Sequence, residues 1–235
     1  MGISKAYGKK NVLSDISFSV PQGCITAVIG KNGSGKSTLL SIAAGMLKPD
    51  RGDVRYHGQS ILTNRQIVRQ IGFATQHDHL FEDMTVRDNL TFWAAAAKVP
   101  LRSVDGMPIL SRLGLPAFQK KKVHQLSGGM KRRVTLGIAL LTDPSLVILD
   151  EPFAGLDLYY KNELANCLIL LKEMGKAVLY TSHNGDEIAG LCDHMIVINE
   201  GQLIFNGSAD TLQQYDGNLN HILLQLIKGV FKVNG

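Results

Sequence analysis

The residues most able to do chemistry lie in one short run, Gly30-Lys31-Asn32-Gly33-Ser34-Gly35-Lys36-Ser37-Thr38. Glycines at 30, 33 and 35 let the backbone turn tightly with positive φ and aim successive N–H groups inward, which makes a concavity suited to a polyphosphate. Lys36 at this spacing supplies a point charge for β and γ phosphates, and the Ser37 hydroxyl a ligand for Mg²⁺. An ordinary Gly/Ser turn with a surface lysine would need no special neighbours, but this run has them. Ile25, Ala27, Val28 and Ile29 before it suit a buried strand, and Thr38 to Ala44 after it read as a helix. The loop therefore joins a strand to a helix N-terminus, whose dipole adds positive potential.

Further polar residues stand at the ends of other apolar runs. Leu146-Val147-Ile148-Leu149 leads into Asp150-Glu151-Pro152. A continuously apolar strand implies burial on both faces, as in a parallel sheet, whose ligands bind beyond the carboxyl ends of the strands. Mg²⁺ chemistry is expected at Asp150 and Glu151. Ile71 to Thr75 delivers Gln76 in the same way, and Ala177 to Ser182 delivers His183. His77 and His79 have metal-like spacing but no third ligand nearby, so no metal site is read there.

The elements that must position these residues follow from periodicity. Ile16, Phe18 and Val20 alternate with serines and predict a half-buried strand, turning at Pro21-Gln22-Gly23 into an antiparallel hairpin with the loop strand. On this reading the sheet lobe is mostly built before residue 75. Thr85 with Asp88 marks a helix start, and an alanine-rich stretch to Lys98 opens a helical lobe that continues through Ile109 to Leu113. Ser127 is placed to cap the next helix, which runs to Asp143-Pro144. A helix is expected from about Lys161 to Met174, and a hairpin from Met195 to Phe205. Leu219, Ile222, Leu223, Leu226, Ile227 and Val230 recur at helical steps, an amphipathic tail helix that packs back on its own domain and carries no chemical motif.

Composition sets the frame. The 235 residues are 45% hydrophobic and 19% charged, with no low-complexity tract, which suits one domain with two lobes. The net charge of +5 comes partly from Lys120-Lys121-Lys122 and Lys131-Arg132-Arg133, read as solvated faces rather than a nucleic-acid surface. Three widely spaced cysteines, Cys24, Cys167 and Cys192, form no disulfide framework and fit a reducing cytosol. The chain shows neither an N-terminal signal region nor an apolar run long enough to span a membrane.

Taken in order, these motifs resemble the ATP-binding subunit of ABC transporters, through about residue 212. Leu126-Ser127-Gly128-Gly129-Met130, one helix upstream of the acidic strand end, carries the likeness. The resemblance implies an α/β fold, with a P-loop NTPase core built on a parallel sheet, an N-terminal antiparallel β subdomain and an inserted α-helical signature subdomain. Residues 1–82 and 145–212 would form the core and β subdomain, 83–144 the helical subdomain and 213–235 the C-terminal helix. It implies ATP and Mg²⁺ as cofactors, with Tyr7 on the adenine and Gly30, Lys31, Asn32, Gly33, Ser34, Gly35, Lys36, Ser37 and Thr38 on the phosphates. Asp150 and Ser37 would serve the metal, Gln76 the metal or the attacking water, Glu151 the attacking water and His183 the γ phosphate, so that Glu151, His183 and Gln76 are the catalytic set. Ser127, Gly128 and Gly129 would contact nucleotide held by a second subunit, and Asp157 would order that contact. The implied partners are a second ATPase subunit, as a homodimer, and separate permease subunits, with the chain peripheral on the cytoplasmic face of the membrane. Met130 departs from the family's frequent glutamine, and Gly128 to Arg133 most resembles bacterial exporters. A soluble ABC-type ATPase acting on ribosomes or nucleic acid is the alternative, but such proteins usually carry two cassettes or a long coiled-coil insertion, and this sequence has neither.

Overall fold

The structure is a computed structural model, and it describes residues 1–76, 79–100, 107–188, 190–213 and 219–228. Strands β1 (Ile3–Tyr7) and β2 (Lys10–Ile16) open the chain, followed by β3 (Ile25–Ile29), helix α1 (Lys36–Ala43) and a small hairpin of β4 (Arg55–Tyr56) and β5 (Gln59–Ser60). After strand β6 (Ile71–Ala74) come α2 (Val86–Ala96), α3 (Pro108–Arg112) and α4 (Gly128–Ala139). Then come β7 (Leu146–Leu149), α5 (Leu158–Glu173), β8 (Ala177–Ser182), β9 (His194–Asn199), β10 (Gln202–Ser208), α6 (Ala209–Gln213) and α7 (Leu219–Ile227).

One sheet of six strands, in the order β10-β9-β3-β8-β7-β6, forms the centre. Its neighbours run parallel except the β9–β10 pair. Every residue of β3 and β8 is buried, because both sheet faces are covered. Successive side chains go to opposite cores: Ala27, Leu149, Tyr180 and Val197 join one, and Val28, Ile148, Leu179 and Ile196 the other. The second core is closed by Leu39 and Leu40 of α1, each contributing about 1.5–3 kcal/mol by leaving water.

Four of the six central strands follow residue 145, so the sheet is not mostly built before residue 75. Alternation marks half-exposed strands, and the buried strands that make up the core have none. The predicted hairpin also fails. β2 ends at Ile16 and pairs with β1, with Ile3 opposite Ile16, so Phe18 and Val20 have no strand beside them. Both instead line an apolar hollow of about 640 Å³ with Leu39, Ile42 and Leu179. Their alternation reports packing against the sheet face without a ladder.

The helix starts are set by side-chain caps. Thr85 Oγ1 accepts from the Asp88 N–H at 3.1 Å and Asp88 Oδ2 accepts from the Thr85 N–H at 3.1 Å, a reciprocal box at the head of α2. Ser127 Oγ accepts from the Met130 N–H at 3.3 Å, and this bond needs only the Met130 backbone. Asp157 Oδ1 accepts from the Tyr160 N–H at 3.0 Å, which starts α5 at Leu158 rather than near Lys161. In α7, Leu219, Ile222, Leu223 and Leu226 are buried in the core that covers β3 and β8, so the tail does pack back. Val230 lies outside the described residues.

Candidate active site

All four chemistry-bearing strand ends meet at the carboxyl edge of the parallel strands. β3 runs into Gly30, β6 into Gln76, β7 into Asp150 and Glu151, and β8 into His183. A cleft of about 460 Å³ opens there, lined by Tyr7, Asn32, Gly33, Gly35, Lys36, Ser37, Thr38, Gln76, Glu151 and His183. Tyr7, at the end of β1, is 53% exposed on its rim. Gly35 adopts φ 105°, where a Cβ would meet Leu13 Cδ2 at 2.7 Å and Val12 O at 2.8 Å. Only glycine lets the loop pass so close to β2.

Lys36 is buried in this loop. Its Nζ donates to Gly30 O at 2.8 Å and to Lys31 O at 3.3 Å, and lies 3.3 Å from Glu151 Oε1. The other Glu151 oxygen, Oε2, is 2.9 Å from His183 Nδ1. One buried carboxylate thus joins the phosphate loop to the end of β8. Its backbone is unusual too, with φ 46° at a non-glycine residue, a conformation costing about 1–3 kcal/mol unless neighbours hold it. Thr181 is one such neighbour: its Oγ1 accepts from the Glu151 N–H at 2.7 Å and donates to Asp150 Oδ1 at 2.7 Å. Asp150 is thereby fixed behind the cleft wall. Tyr180, next along β8, donates to Glu187 O at 3.3 Å, and burial raises its hydroxyl well above the usual phenol range.

The loop fits a polyphosphate on its own geometry. A Cβ at Gly33, which lines the cleft, would meet open space, so room is left beside the loop backbone. For a metal, the Ser37 hydroxyl lines the cleft and the Asp150 carboxylate stands at the end of β7, oxygen donors of the kind Mg²⁺ accepts. His77 and Asp78 lie outside the described residues. Ser127, Gly128, Gly129 and Asp157 do not line the cleft of their own chain.

The basic run at 131–133 is not a solvated face. Lys131 pairs with Glu82 at 2.8 Å and the Arg133 guanidinium lies 5.5 Å from the Phe118 ring. Arg132 points inward and is 8% exposed, donating to carbonyls at the ends of β6 and β7. The signal was available, since Gly129, Arg132, Leu136 and Ala139 form the buried stripe of α4 at helical spacing. Thr181 gave no such signal.

Comparison with known proteins agrees with this geometry. The ABC transporter family model matches residues 13–154, more than half of the chain. The linearmycin resistance ATP-binding protein LnrL of Bacillus subtilis is 34% identical, over 99% of this chain and 79% of its own. The sulfate/thiosulfate import ATP-binding protein CysA of Mycobacterium tuberculosis is also 34% identical, over 99% of this chain and 66% of its own. A solved structure of the ATP-binding subunit of an ABC transporter superposes with a TM-score of 0.83 at 28% identity, covering 96% of this chain and 97% of that one. The chain belongs to the ABC transporter family, as one of its ATP-binding, ATP-hydrolysing subunits that work with membrane permeases.

Proposed function

We propose that this chain holds Mg²⁺-ATP at Gly30 to Thr38 with Tyr7 against the adenine, and hydrolyses it with Glu151, His183 and Gln76 around the γ phosphate. The observation that carries the reading is the Lys36–Glu151–His183 chain of contacts at the sheet edge. Without nucleotide, the lysine charge is balanced by Glu151. Phosphate oxygens entering the loop give Lys36 a stronger partner, which frees Glu151 Oε1 to accept a proton from a water while His183 keeps Oε2 in place. Ser37, Asp150 and Gln76 would hold Mg²⁺, which neutralises charge on the phosphates. The Thr181 hydroxyl keeps Asp150 and the Glu151 backbone in fixed relation.

Ser127, Gly128, Gly129 and Asp157 are read as the other half of a site completed by a second copy, in a homodimer. In support, α4 presents a helix N-terminus capped by Ser127, suited to an anion, yet outside its own chain's cleft. We divide the chain into a core with its β subdomain (1–82 and 145–212), a helical subdomain (83–144) and a C-terminal segment (213–235). Among the described residues no helix is long and apolar enough to cross a membrane, and we place the chain on the cytoplasmic face beneath its permease. The direction is read as export on the Gly128 to Arg133 run. No nucleic-acid partner is proposed.

Glu151→Gln tests the chemistry. It keeps the shape and removes both the base and a negative charge beside the γ phosphate. Mg²⁺-ATP affinity is expected to hold or rise while single-turnover hydrolysis falls by ~10²-fold or more. Near-normal turnover rejects the base, and weakened Mg²⁺-ATP binding reassigns Glu151 to the metal.

A further inference from the structure

Arg132 gathers an unusual set of acceptors. Its Nη1 donates to Thr75 O at 3.0 Å and Gln76 O at 3.2 Å, its Nη2 to Asp150 O at 2.9 Å and Glu151 O at 3.0 Å, and its Nε to Pro152 O at 3.2 Å. All five are main-chain carbonyls just past the ends of two adjacent parallel strands, where the sheet ladder no longer supplies donors. A guanidinium suits this place because its five N–H groups are fixed in one planar fork. The arginine therefore bridges two loops that β6 and β7 alone would leave free to diverge.

Two of those carbonyls belong to residues with proposed roles at the γ phosphate, Gln76 and Glu151. Glu151 also has the left-handed backbone, φ 46°, which persists only where its surroundings fix it. Thr181 holds its N–H and Arg132 holds its carbonyl, so the peptide groups on both sides of the strained residue are pinned. Arg132 stands on the helix that Ser127 caps, five residues along, about 7.5 Å on the helix axis. One rigid helix thus carries the Ser127 end and the clamp on Gln76 and Glu151.

We propose that Arg132 is a positioning residue for hydrolysis, setting the Gln76 and Glu151 loops against each other and against the helix that begins at Ser127. The proposal rests on the reading of Glu151 and Gln76 given above. It acts through backbone carbonyls and needs no contact with nucleotide. A lysine keeps the charge, but a compact ammonium has three donors and cannot span two loops.

The test compares wild type, Arg132→Lys and Arg132→Gln, with calorimetric Mg²⁺-ATP affinity and single-turnover hydrolysis measured on each. In Arg132→Lys, affinity is expected to stay within about twofold of wild type while the rate falls on the order of 10²-fold, the size of loss that a displacement near 1 Å at the reacting groups produces. Arg132→Gln, neutral but planar and able to donate, is expected to lose rate by a similar factor and keep affinity, since it cannot reach both loops. Wild-type turnover in Arg132→Lys overturns the proposal. So does a parallel loss of affinity and rate in both variants, which would make Arg132 a general brace of the fold. If wild type itself does not hydrolyse ATP, or Glu151→Gln retains turnover, the functional reading fails instead, and those controls show it separately.

Discussion

The Lys36 end of the molecule and the Ser127 end use the same device, a helix N-terminus with glycine at its cap or in its first turn, but only the first is surrounded by its chemistry. Around the head of α1 stand a buried lysine, a buried carboxylate, a histidine just past the end of β8 and an open cleft. Around the head of α4 stand the Ser127 cap and the Tyr160 ring against Gly129, and the cleft-lining residues are elsewhere. A helix N-terminus attracts an anion wherever it is, but hydrolysis needs a metal site, a base and a positioned phosphate together. On the proposed reading, the difference teaches that one chain holds a catalytic half and a separate binding half. Arg132 ties the two halves together from inside.

The strongest way to break this contrast is to empty the first end. Lys36→Ala leaves the phosphates held by backbone dipoles alone, so Mg²⁺-ATP affinity is expected to fall on the order of 10²-fold by calorimetry, the worth of a buried charge-assisted contact. Undiminished affinity would move the nucleotide to another place.

A smaller change asks how far the first end extends. Asn220 of α7 has its Oδ1 2.6 Å from the Gly185 N–H, two residues beyond His183, and so braces the His183 loop from the tail. Asn220→Ala leaves that N–H bare and is expected to slow turnover roughly threefold to tenfold with Mg²⁺-ATP affinity unchanged. An unaltered rate would return α7 to a purely packing role.

These two sites also show how legible the sequence was. The phosphate loop, the acidic strand end, Gln76 and His183 could be read because each sits at the end of an apolar run, where a buried parallel strand must release its polar residues. The Thr85 and Ser127 caps could be read because capping acts over three residues. Contacts between distant elements could not. That Thr181 bridges Asp150 and Glu151 depends on β7 pairing with β8, and a buried strand carries no period that names its neighbour. Phe18 and Val20 looked like a strand because packing against a sheet face imposes the same alternation as a ladder. Arg132 was hidden by its company: in Lys131-Arg132-Arg133 the charge run concealed a residue on the buried stripe of α4.

The least effect is expected at the thiols, which belong to neither end. Burial pushes Cys167 up to about 11 and Cys192 up to about 12. A thiol with a raised value stays protonated until pH nears that value, so both remain neutral and unreactive through pH 9. Mass spectrometry after brief maleimide treatment at pH 8 is expected to find neither modified, with ATP turnover unchanged. Rapid labelling of Cys192 would mean that the core beside β9 opens.

The central claim, that the two ends serve each other across two copies, is tested most directly by mixing two crippled chains. Lys36→Ala keeps the Ser127 end and loses the nucleotide; Ser127→Arg keeps the nucleotide loop and blocks the other end with a bulky cation. Each alone is expected to be nearly inactive. Mixed with Mg²⁺-ATP, they can pair so that the intact loop of one meets the intact Ser127 end of the other, and the predicted result is hydrolysis well above the sum of the separate rates. A mixture that never exceeds that sum, or a Ser127→Arg chain that hydrolyses ATP as well as wild type, would contradict the account.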